Sequence, residues 1–426
     1  MKNLIGGKFV DASNGEKADV INPATNELID TVPLATEEDV DLCVKEAAKA
    51  QKAWAKMPLH ERGDILYKFA DLVEANHEEL AQLLSKETGK PIKEARVEIS
   101  NTKHFIHGYV EKAKHDYGNV IPAGSEVGQE KTMQITVQQP LGVVACIIPF
   151  NFPCDLFGQK VPSALIMGNS VIVKPSTDNP LTLHRYCELL KDAGVPDGVI
   201  NCISGRGSVT GNALAKHPQV ALISVTGSTE VGAEVMANAA ANITHVMLEL
   251  GGNDAFIVMD DADMDLTMKE LVWGRLYNTG QVCCASKRFL VQKGIKDEFI
   301  KKAVETLQSL KVAMPQQEDA DIGCLINEKA AINAEEQVRK TLDQGATLVY
   351  GGRRNGAFFE PTILDNVTKD MDVMKDMEIF APVIPVCTFD TLDEALEIAN
   401  QSKFGLCGNI MTSDMKTAFK AAMEME

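Results

Sequence analysis

Short apolar runs alternate with segments of helix length through the middle of the chain, and Pro and Gly punctuate the turns between them. This pattern predicts repeated βαβ units, and therefore a parallel sheet that is buried on both faces. Ligands bind such sheets beyond the carboxyl ends of the strands. The predicted strands cover residues 143–148, 170–173, 199–203, 220–225 and 246–250, and the predicted helices between them cover 162–167, 181–190 and 231–239.

The N-terminal part follows other patterns. Thr36 is a predicted helix N-cap, and the helical period after it predicts that the N-terminal third is mainly amphipathic helix. Residues 118–140 have Gly-rich turns followed by apolar alternation at Met133, Ile135 and Val137. That alternation predicts a hairpin arm outside the main core.

A second α/β pattern begins after Gly252, with predicted strands at 255–258 and 288–292 and a predicted helix at 297–310. The chain is therefore predicted to be an α/β protein with a domain boundary near residue 250. The predicted parts are one domain formed by residues 1–117 and 141–250, the arm at 118–140, and a second domain at 251–426.

Composition narrows the possible partners and location. With 426 residues and 45% apolar content, the chain can bury two domain-sized cores. The formal net charge of −18 and the absence of Lys/Arg runs disfavour nucleic acid and anionic membranes as partners. No apolar run reaches membrane-spanning length and the start lacks an apolar leader, so a cytoplasmic protein is expected. The ten cysteines form no spaced framework, which predicts reduced thiols, and no metal site is predicted.

Two adjacent cysteines are the most distinctive candidates for chemistry. Cys283 and Cys284 lie between a Gly-Gln pair and a Lys-Arg pair, downstream of Glu249 in L-E-L-G-G. A thiol, an acid and a nucleotide-fold pattern together suggest covalent redox chemistry. For Cys284 the favoured interpretation is a packed small hydrophobe, and Trp273 is expected to lie in the core.

The predicted sheet offers two candidate cofactor positions. Gly227 follows an apolar strand and precedes a helix, whose N-terminus would offer free N–H groups to a diphosphate, although the sequence there is not G-x-G-x-x-G. An ordinary loop is the alternative. Lys174 ends another strand, where its ammonium group would reach a ribose hydroxyl or a phosphate; a solvated loop lysine is the alternative.

Nine short motifs, in order along the chain, resemble those of the aldehyde dehydrogenase superfamily, closest in pattern to its non-phosphorylating glyceraldehyde-3-phosphate and lactaldehyde dehydrogenase group. The resemblance implies a Rossmann-like cofactor domain, a catalytic α/β domain and a small β oligomerisation arm, in a homodimer or homotetramer. The motifs are I-N-P-A-T near the start, E-T-G-K-P at 87–91, P-F-N-F-P at 149–153, V-K-P-S at 173–176, V-T-G-S at 225–228, L-E-L-G-G at 248–252, G-Q-V-C at 280–283, F-F-E-P-T at 358–362 and E-I-F-A-P-V at 378–383.

The resemblance also implies catalytic roles. Cys283 would attack the aldehyde carbonyl, and the Asn151 side chain and the Cys283 N–H would stabilise the oxyanion. Expulsion of hydride to the nicotinamide would leave a thioester, and Glu249, partly buried, would activate the water that releases the acid. The presence of Glu249 favours hydrolysis over transfer of the acyl group to coenzyme A. Lys160 is a candidate proton relay, with a helix-surface lysine as the alternative.

The cofactor implied by the resemblance is NADP or NAD. Many NAD-preferring members carry a glutamate where this chain has Thr177, so NADP is slightly favoured, with Lys174 and Arg206 as candidates to bind its 2′-phosphate. The positions that match the family's cofactor-binding residues are Ile148, Pro149, Phe150, Lys174, Ser176, Thr177, Gly207, Thr226, Gly227, Ser228, Val231, Leu250, Gly251, Glu378 and Phe380.

The expected substrate is a small neutral or hydroxylated aldehyde such as lactaldehyde or glycolaldehyde. Members specific for a phosphate ester carry arginine at the position of Val282, and enzymes for succinate semialdehyde carry arginines at those of Gln159 and Asn278. Those two anionic substrates remain the alternatives if Arg275, or an arginine in the segment that follows Glu426 in the family, provides the charge.

An alternative of another class is a catalytically inactive nucleotide-binding or structural homologue. Such a protein is expected to have lost one of Cys283, Glu249 and Asn151, and all three are present. In the family, the chain past Glu426 completes the substrate tunnel and pairs with the arm of a neighbouring subunit.

Overall fold

The computed structural model describes residues 1–426, which divide into two compact units. Unit 1 comprises Met1–Val20, Asp30–Ala81 and Arg96–Glu249, and unit 2 comprises Ile21–Ile29, Gln82–Ala95 and Leu250–Glu426. The sequence alone had placed the two short segments of unit 2 with the first predicted domain. These segments group with unit 2 because they pack closely against it and against each other. A Cβ built on Gly89 would lie only 2.4 Å from the Cys324 sulfur and 3.2 Å from Pro23.

Four strands and four helices precede the arm. Thr36 caps the first helix in a reciprocal box with Asp39, as predicted from the sequence. The elements are β1 (Asn3–Ile5), β2 (Lys8–Val10), β3 (Lys17–Ile21), β4 (Leu28–Pro33), α1 (Glu37–Trp54), α2 (Leu59–Ala75), α3 (His77–Thr88) and α4 (Ile92–Ala113).

The arm is an exposed antiparallel pair formed by β5 (Val120–Ile121) and β6 (Gln134–Ile135). Val120 and Ile135 face each other across the pair and are 64% and 63% exposed. The alternation predicted through residue 137 therefore gives a shorter ladder than expected, with apolar side chains left in solvent.

Unit 1 is built on a seven-stranded sheet in the order β11-β10-β7-β8-β9-β1-β2. Strands β7 to β11 are mutually parallel, as the alternation of runs predicts. The helix predicted at 162–167 begins at Pro153, because this proline fits the first helical turn, and Pro162 lies inside it. The elements are β7 (Val143–Ile147), α5 (Pro153–Ile166), β8 (Ser170–Lys174), α6 (Leu181–Ala193), β9 (Ile200–Cys202), α7 (Asn212–Lys216), β10 (Val220–Thr226), α8 (Thr229–Ala239) and β11 (His245–Glu249).

Unit 2 is built on a six-stranded sheet in the order β14-β17-β18-β13-β12-β19, parallel except for β14. Apolar clusters cover both of its faces. The elements are β12 (Asp254–Val258), α9 (Met264–Leu271), β13 (Ser286–Gln292), α10 (Lys296–Ser309), α11 (Glu328–Asp343), β14 (Thr347–Tyr350), β15 (Arg354–Asn355), β16 (Phe358–Phe359), β17 (Thr362–Val367), β18 (Val383–Phe389), α12 (Leu392–Asn400), β19 (Gly408–Met411) and α13 (Met415–Glu424).

Trp273 does not lie in the core. It is 63% exposed on a π-helical turn at Val272–Leu276, with its ring 4.7 Å from that of Tyr277. The expectation was wrong because apolarity alone does not say which face of a helix a side chain occupies. None of the helices combines the length and the apolarity that crossing a bilayer requires.

Candidate active site

The parallel strands of unit 1 bring several predicted site residues to one edge of the sheet. Thr226 at the end of β10 pairs with Glu249 at the end of β11, and Ile147 at the end of β7 pairs with Lys174 at the end of β8. Because β7 and β10 are neighbours in the same direction, these carboxyl ends form one continuous edge. Ile148, directly after β7, donates its N–H to the Lys174 carbonyl (3.0 Å).

The loop after β7 carries Pro149, Phe150 and Asn151 and is held at both ends. The Asn179 amide donates to the Phe150 carbonyl (2.9 Å), and the buried Glu98 carboxylate accepts the Cys154 N–H (2.8 Å) at the start of α5. Asn151 lies between these anchors and is buried. Sequence reasoning missed Asn179 and Glu98, since neither is near the loop in sequence and neither forms a local motif.

Lys160 is oriented into unit 1. Its ammonium donates to the Ser224 hydroxyl (2.8 Å) from helix α5. Burial lowers the pKa of Lys160, and the neighbouring Glu249 carboxylate opposes that shift. The helix-surface alternative for Lys160 therefore does not hold. Glu249 itself is exposed, which differs from the partly buried carboxylate expected from the sequence.

The turn from β10 into α8 fits a phosphate-bearing ligand. The Thr226 hydroxyl oxygen is buried without a hydrogen-bond partner at the strand end. Gly227 donates its N–H to the Glu249 carbonyl (3.0 Å), and the Ser228 hydroxyl caps α8 by accepting the Val231 N–H (3.3 Å). The free N–H groups and dipole of this helix N-terminus favour an anion, so the donor set fits the predicted diphosphate.

The neighbouring strand end offers a cation. Lys174 is buried and donates to the Pro175 carbonyl (3.0 Å), and burial lowers its pKa to about 8. An ammonium has three donors, so Lys174 keeps capacity for a ligand. Half-buried Ser176 and Thr177 follow it.

The turn after β9 is open and polar. No atom lies within 4 Å of a Cβ built on Gly207, which begins a π-helical turn. The preceding residue, Arg206, is exposed and pairs with Glu16 at 3.0 Å. A phosphate would therefore have to compete with Glu16 for this guanidinium group.

In unit 2, residues 278–284 form a strained turn before β13, here called the cysteine turn. Asn278, Thr279 and Gly280 have φ values of 51°, 55° and 75°, in the left-handed region. A Cβ on Gly280 would lie 2.6 Å from the Ala381 carbonyl carbon, so only glycine fits there. The buried Glu94 carboxylate accepts the Asn278 N–H (2.7 Å), and burial raises the pKa of Glu94 to about 8.

Lys287 links the cysteine turn to Glu378. Its buried ammonium donates to the Cys283 carbonyl (2.6 Å) and pairs with the Glu378 carboxylate (3.2 Å). It also lies 5.7 Å from the centroid of the Phe380 ring. Glu378 packs so closely against Gly251 that a Cβ there would be 2.6 Å from its carboxylate oxygen. The structure thus brings together three of the cofactor-binding residues predicted in unit 2; the fourth, Leu250, is half-buried.

The two thiols differ in exposure and share a hydrogen bond. Cys283 is half-buried and Cys284 is exposed, so the interpretation of Cys284 as a packed hydrophobe is wrong. The hydrogen bond between them raises the pKa of Cys283 and lowers that of Cys284 to about 6, and Lys287 favours the thiolate form of each. The two shifts run in opposite directions because each thiol is the hydrogen-bond partner of the other.

Arg275 is fully buried and its guanidinium is used by the backbone. It donates to the carbonyls of Val383 (2.6 Å), Ile379 (2.9 Å) and Ala381, and burial lowers its pKa to about 9. These contacts fix the segment that leads from Glu378 into β18. With the side chain buried and these bonds directed to the backbone, the structure gives Arg275 a role in holding this segment.

The sequence profile described as the aldehyde dehydrogenase family matches residues 9–426. D-glyceraldehyde dehydrogenase (NADP⁺) of Picrophilus torridus is 38% identical over 430 residues, with 99% of this chain and 86% of that protein covered. Lactaldehyde dehydrogenase of Escherichia coli is 37% identical over 421 residues, with 98% and 87% covered. A solved structure of 3,6-anhydro-L-galactose dehydrogenase in complex with NADP superposes with a TM-score of 0.96 at 36% identity, with 100% of this chain and 90% of that chain covered.

Proposed function

The chain belongs to the aldehyde dehydrogenase family and is an NAD(P)-dependent enzyme that oxidises aldehydes, and we propose that it converts a small neutral or hydroxylated aldehyde to the carboxylic acid, with Cys283 as the nucleophile. The observation that carries the choice of substrate is that Arg275 is fully buried and its guanidinium donates to backbone carbonyls. A neutral aldehyde needs no buried cation, whereas an anionic one would be left without a partner.

Cys283 acts first. Its sulfur, once ionised, attacks the aldehyde carbonyl and forms a thiohemiacetal, and the Asn151 amide and the Cys283 N–H stabilise the oxyanion. The nicotinamide cofactor, when bound, supplies the oxidising power by accepting a hydride. Lys287 holds the Cys283 carbonyl (2.6 Å) and so fixes the backbone from which both sulfur and N–H project.

Glu249 and Lys160 serve the release of the acid. Glu249 is exposed at the end of β11, where water has access to its carboxylate, and it takes the proton from the water that attacks the thioester. Lys160, whose ammonium donates to Ser224 and is electrostatically coupled to Glu249, relays that proton by releasing one of its own protons to solvent and taking the proton of Glu249 in its place. No coenzyme A is required in this scheme.

Each unit carries residues that we propose bind the cofactor. In unit 1 the strand-end loops bind the diphosphate and the adenosine ribose, and in unit 2 Glu378 and Phe380 bind the nicotinamide half. The absence of a carboxylate at Thr177, beside Lys174, supports a preference for NADP, because no fixed negative charge repels a 2′-phosphate there. Catalytic efficiency with NAD alone, and none with NADP, would contradict this preference.

The substrate is a hydroxylated aldehyde of the size of glyceraldehyde, lactaldehyde or glycolaldehyde. Two relatives are named for D-glyceraldehyde and lactaldehyde, in agreement with the neutral residues at Val282, Gln159 and Asn278. Succinate semialdehyde and glyceraldehyde 3-phosphate are the alternatives. They are less favoured because the buried Arg275 guanidinium donates to backbone carbonyls. The arm at 118–140 supports a further proposal, a homodimer or homotetramer, because its apolar side chains are exposed.

The test is NAD(P)H formation by the purified chain with these five aldehydes and each cofactor, with and without coenzyme A. Highest kcat/KM for a neutral hydroxylated aldehyde, unchanged by coenzyme A and abolished in Cys283→Ala, supports the proposal. Cys407→Ser, which alters another exposed thiol of unit 2, is the matched control. A larger kcat/KM for an anionic aldehyde would overturn the substrate assignment, and no turnover in a folded, cofactor-binding protein would favour the inactive homologue.

A further inference from the structure

The cysteine turn holds a backbone conformation that its own sequence disfavours. Asn278 and Thr279 have φ/ψ values of 51°/38° and 55°/33°, in the left-handed region, and Gly280 follows at φ 75°. Only glycine enters this region without a steric penalty, and for a β-branched residue such as threonine the conformation is rare. Two consecutive non-glycine residues keep it only where the surrounding structure fixes them. The contacts of the turn therefore have to explain why it does not relax.

The elements before the turn indicate the conformation to which it would relax. The π-helical turn Val272–Leu276 follows helix α9 directly, and Tyr277 then leaves the helical conformation at φ −52° and ψ 137°. In a continued helix the Asn278 N–H would donate to a carbonyl of the preceding turn. It donates instead to the side chain of Glu94, 184 residues away in sequence (2.7 Å). Glu94 thus accepts a hydrogen bond that a continued helix would redirect.

Glu94 is itself fixed and buried. It lies in the first turn of α4, donates its N–H to the Pro91 carbonyl (2.9 Å), and is 7% exposed. Because burial raises the pKa of Glu94 to about 8, most of it is the neutral acid at pH 7, which accepts through its carbonyl oxygen. A buried N–H that loses its acceptor is costly. Removal of this carboxyl group would therefore disfavour the left-handed conformation.

A second contact reaches the turn from the same part of the sequence. The Thr279 hydroxyl accepts the Gly323 N–H (3.2 Å), and the next residue, Cys324, donates its N–H to the Gly89 carbonyl (3.1 Å). Gly89 lies in the E-T-G-K-P motif, which the proposed reaction does not use, and Glu94 follows that motif closely. The chain around this motif thus supports the cysteine turn twice, once through Gly323 and Cys324 and once directly through Glu94.

We propose that Glu94 is a positioning residue for aldehyde oxidation, which holds the cysteine turn in the left-handed conformation that presents Cys283. The proposal rests on the proposed function in one respect, that Cys283 is the nucleophile. Without the Glu94 acceptor the turn relaxes toward the helical conformation. Cys283 then moves away from Lys287, whose ammonium donates to the Cys283 carbonyl (2.6 Å) and favours the thiolate. As a result, kcat and the reactivity of Cys283 fall together.

The first measurement needs no variant. Hydrogen exchange of the wild-type chain without ligand is followed by mass spectrometry of peptides that cover residues 277–282. Because the Asn278 N–H is buried and bonded to Glu94, we expect exchange there to be at least about tenfold slower than in the exposed arm. Exchange as fast as that of the arm overturns the proposal, since the turn would then not be held.

The second experiment removes the acceptor. Glu94→Met keeps the length of the side chain but no strong acceptor, and Glu94→Gln keeps both. For a neutral hydroxylated aldehyde with NADP, kcat of Glu94→Met is expected to fall about tenfold to hundredfold, the factor by which loss of an acceptor for a buried donor shifts an equilibrium. Hydrogen exchange of residues 277–282 should accelerate, the Kd for NADP should change less than about twofold, and Glu94→Gln should restore most of kcat. An unchanged kcat or unchanged exchange in Glu94→Met overturns the proposal.

Two control variants separate positioning from loss of stability. Glu328→Met makes the same substitution in the first turn of α11, where Glu328 is an exposed partner of Arg354 (3.0 Å), and should leave kcat unchanged. Leu307→Ala removes buried contacts of α10 and should lower the unfolding midpoint without lowering kcat. A loss of kcat in Leu307→Ala as large as that in Glu94→Met, or a Glu94→Gln variant as impaired as Glu94→Met, overturns the proposal.

Labelling of Cys283 separates this inference from the proposed function. If the wild type forms no NAD(P)H with any aldehyde, the proposed function fails. Iodoacetamide labelling of Cys283, measured relative to the exposed Cys407, still reports how the turn presents the sulfur. We expect the labelling rate to fall about tenfold in Glu94→Met and to recover in Glu94→Gln, and equal rates in the three proteins overturn the inference. If Glu94→Met does not fold, Glu94→Asp, whose shorter side chain withdraws the acceptor, is measured in its place with the same expected losses.

Discussion

The strand-end loops of unit 1 and the cysteine turn of unit 2 hold their candidate residues in opposite ways. In unit 1 the edge is open: the Thr226 hydroxyl has no partner, and the space beside Gly207 is empty. In unit 2 the cysteine turn has a left-handed backbone conformation. The buried Lys287 ammonium there donates to the Cys283 carbonyl and pairs with the Glu378 carboxylate. The contrast indicates that the proposed cofactor-binding edge has unused hydrogen-bonding groups, whereas the proposed nucleophile is positioned by groups whose hydrogen bonds are already made within the protein.

Removal of Lys287 is expected to give the largest effect. Lys287→Met leaves Glu378 and the Cys283 carbonyl without their partner, so the free energy of unfolding should fall by about 3 kcal/mol, as when a buried pair is broken. Dehydrogenase activity should be lost with it. Denaturant unfolding measures this against Lys293→Met, which breaks an exposed pair with Asp390 and should cost less than about 1 kcal/mol. Equal losses in the two variants would contradict the contrast.

Glu94 should make the stability of unit 2 depend on pH. Its folded-state pKa of about 8 is raised above its ordinary 4.5, so the stability it contributes is present below about pH 4.5 and is lost as pH rises through 8. Glu94→Gln keeps an acceptor for the Asn278 N–H. Its free energy of unfolding, relative to that of the wild type, should rise by about 1 kcal/mol per pH unit from pH 5 to 7.

Lys174 of unit 1 provides the matched comparison. Its pKa is lowered from 10.5 to about 8, so the stability it contributes is present above pH 10.5 and is lost as pH falls through 8. From pH 5 to 7 it is protonated in both states, and the difference between Lys174→Met and wild type should be flat. Denaturant unfolding of both variants and the wild type at three pH values measures these differences in the free energy of unfolding. The difference should change with pH for Glu94→Gln and stay constant for Lys174→Met. A constant difference for both variants would contradict the prediction.

The same glycine substitution should act differently in the two regions. Gly280→Ala places a Cβ 2.6 Å from a carbonyl carbon at φ 75°, and should destabilise by about 3 kcal/mol. Gly207→Ala places it in open space and should change stability by less than about 0.5 kcal/mol. Thermal unfolding of both variants tests this. If Gly280→Ala is as stable as the wild type, the prediction is wrong, and the backbone of the cysteine turn can shift to make room for the Cβ.

The smallest expected effect concerns Arg206. Glu16→Gln removes its exposed partner, so Arg206 no longer has to leave an ion pair to meet a 2′-phosphate. Because exposed pairs contribute little, KM for NADP should fall only about two- to threefold. KM for NAD, which lacks that phosphate, is the internal control and should not change. A parallel change with both cofactors would argue against a role for Arg206 in phosphate binding.

The sequence predicted the unit 1 edge well because strand periodicity and turn residues are local signals. The strands β7, β8, β10 and β11 end within a residue or so of their predicted ends, and topology then places Lys174, Thr226 and Glu249 together. The exposure of Glu249 was not predicted, because burial depends on what packs over a strand end rather than on the strand itself.

The sequence predicted less of the cysteine turn because its contacts are distant along the chain. Glu94 and Asn278 are 184 residues apart, and Arg275 and Val383 are 108 apart. A lone buried Glu or Arg in a helix has no local signature, so the sequence alone does not show that Arg275 bonds to backbone carbonyls rather than to a substrate. Cys284 was misjudged for a related reason: a small apolar-like residue carries no sign of which way it faces.

The two contacts of Lys287 make its surroundings a thermodynamic relay. One ammonium group serves the Cys283 carbonyl and the Glu378 carboxylate. A ligand that draws Glu378 away from Lys287 changes the equilibrium for acylation of Cys283, because Lys287 also holds the Cys283 carbonyl. By linkage, acylation of Cys283 changes the affinity for that ligand by the same factor. Ligand binding at Glu378 and acylation at Cys283 are thereby coupled through the single ammonium group of Lys287.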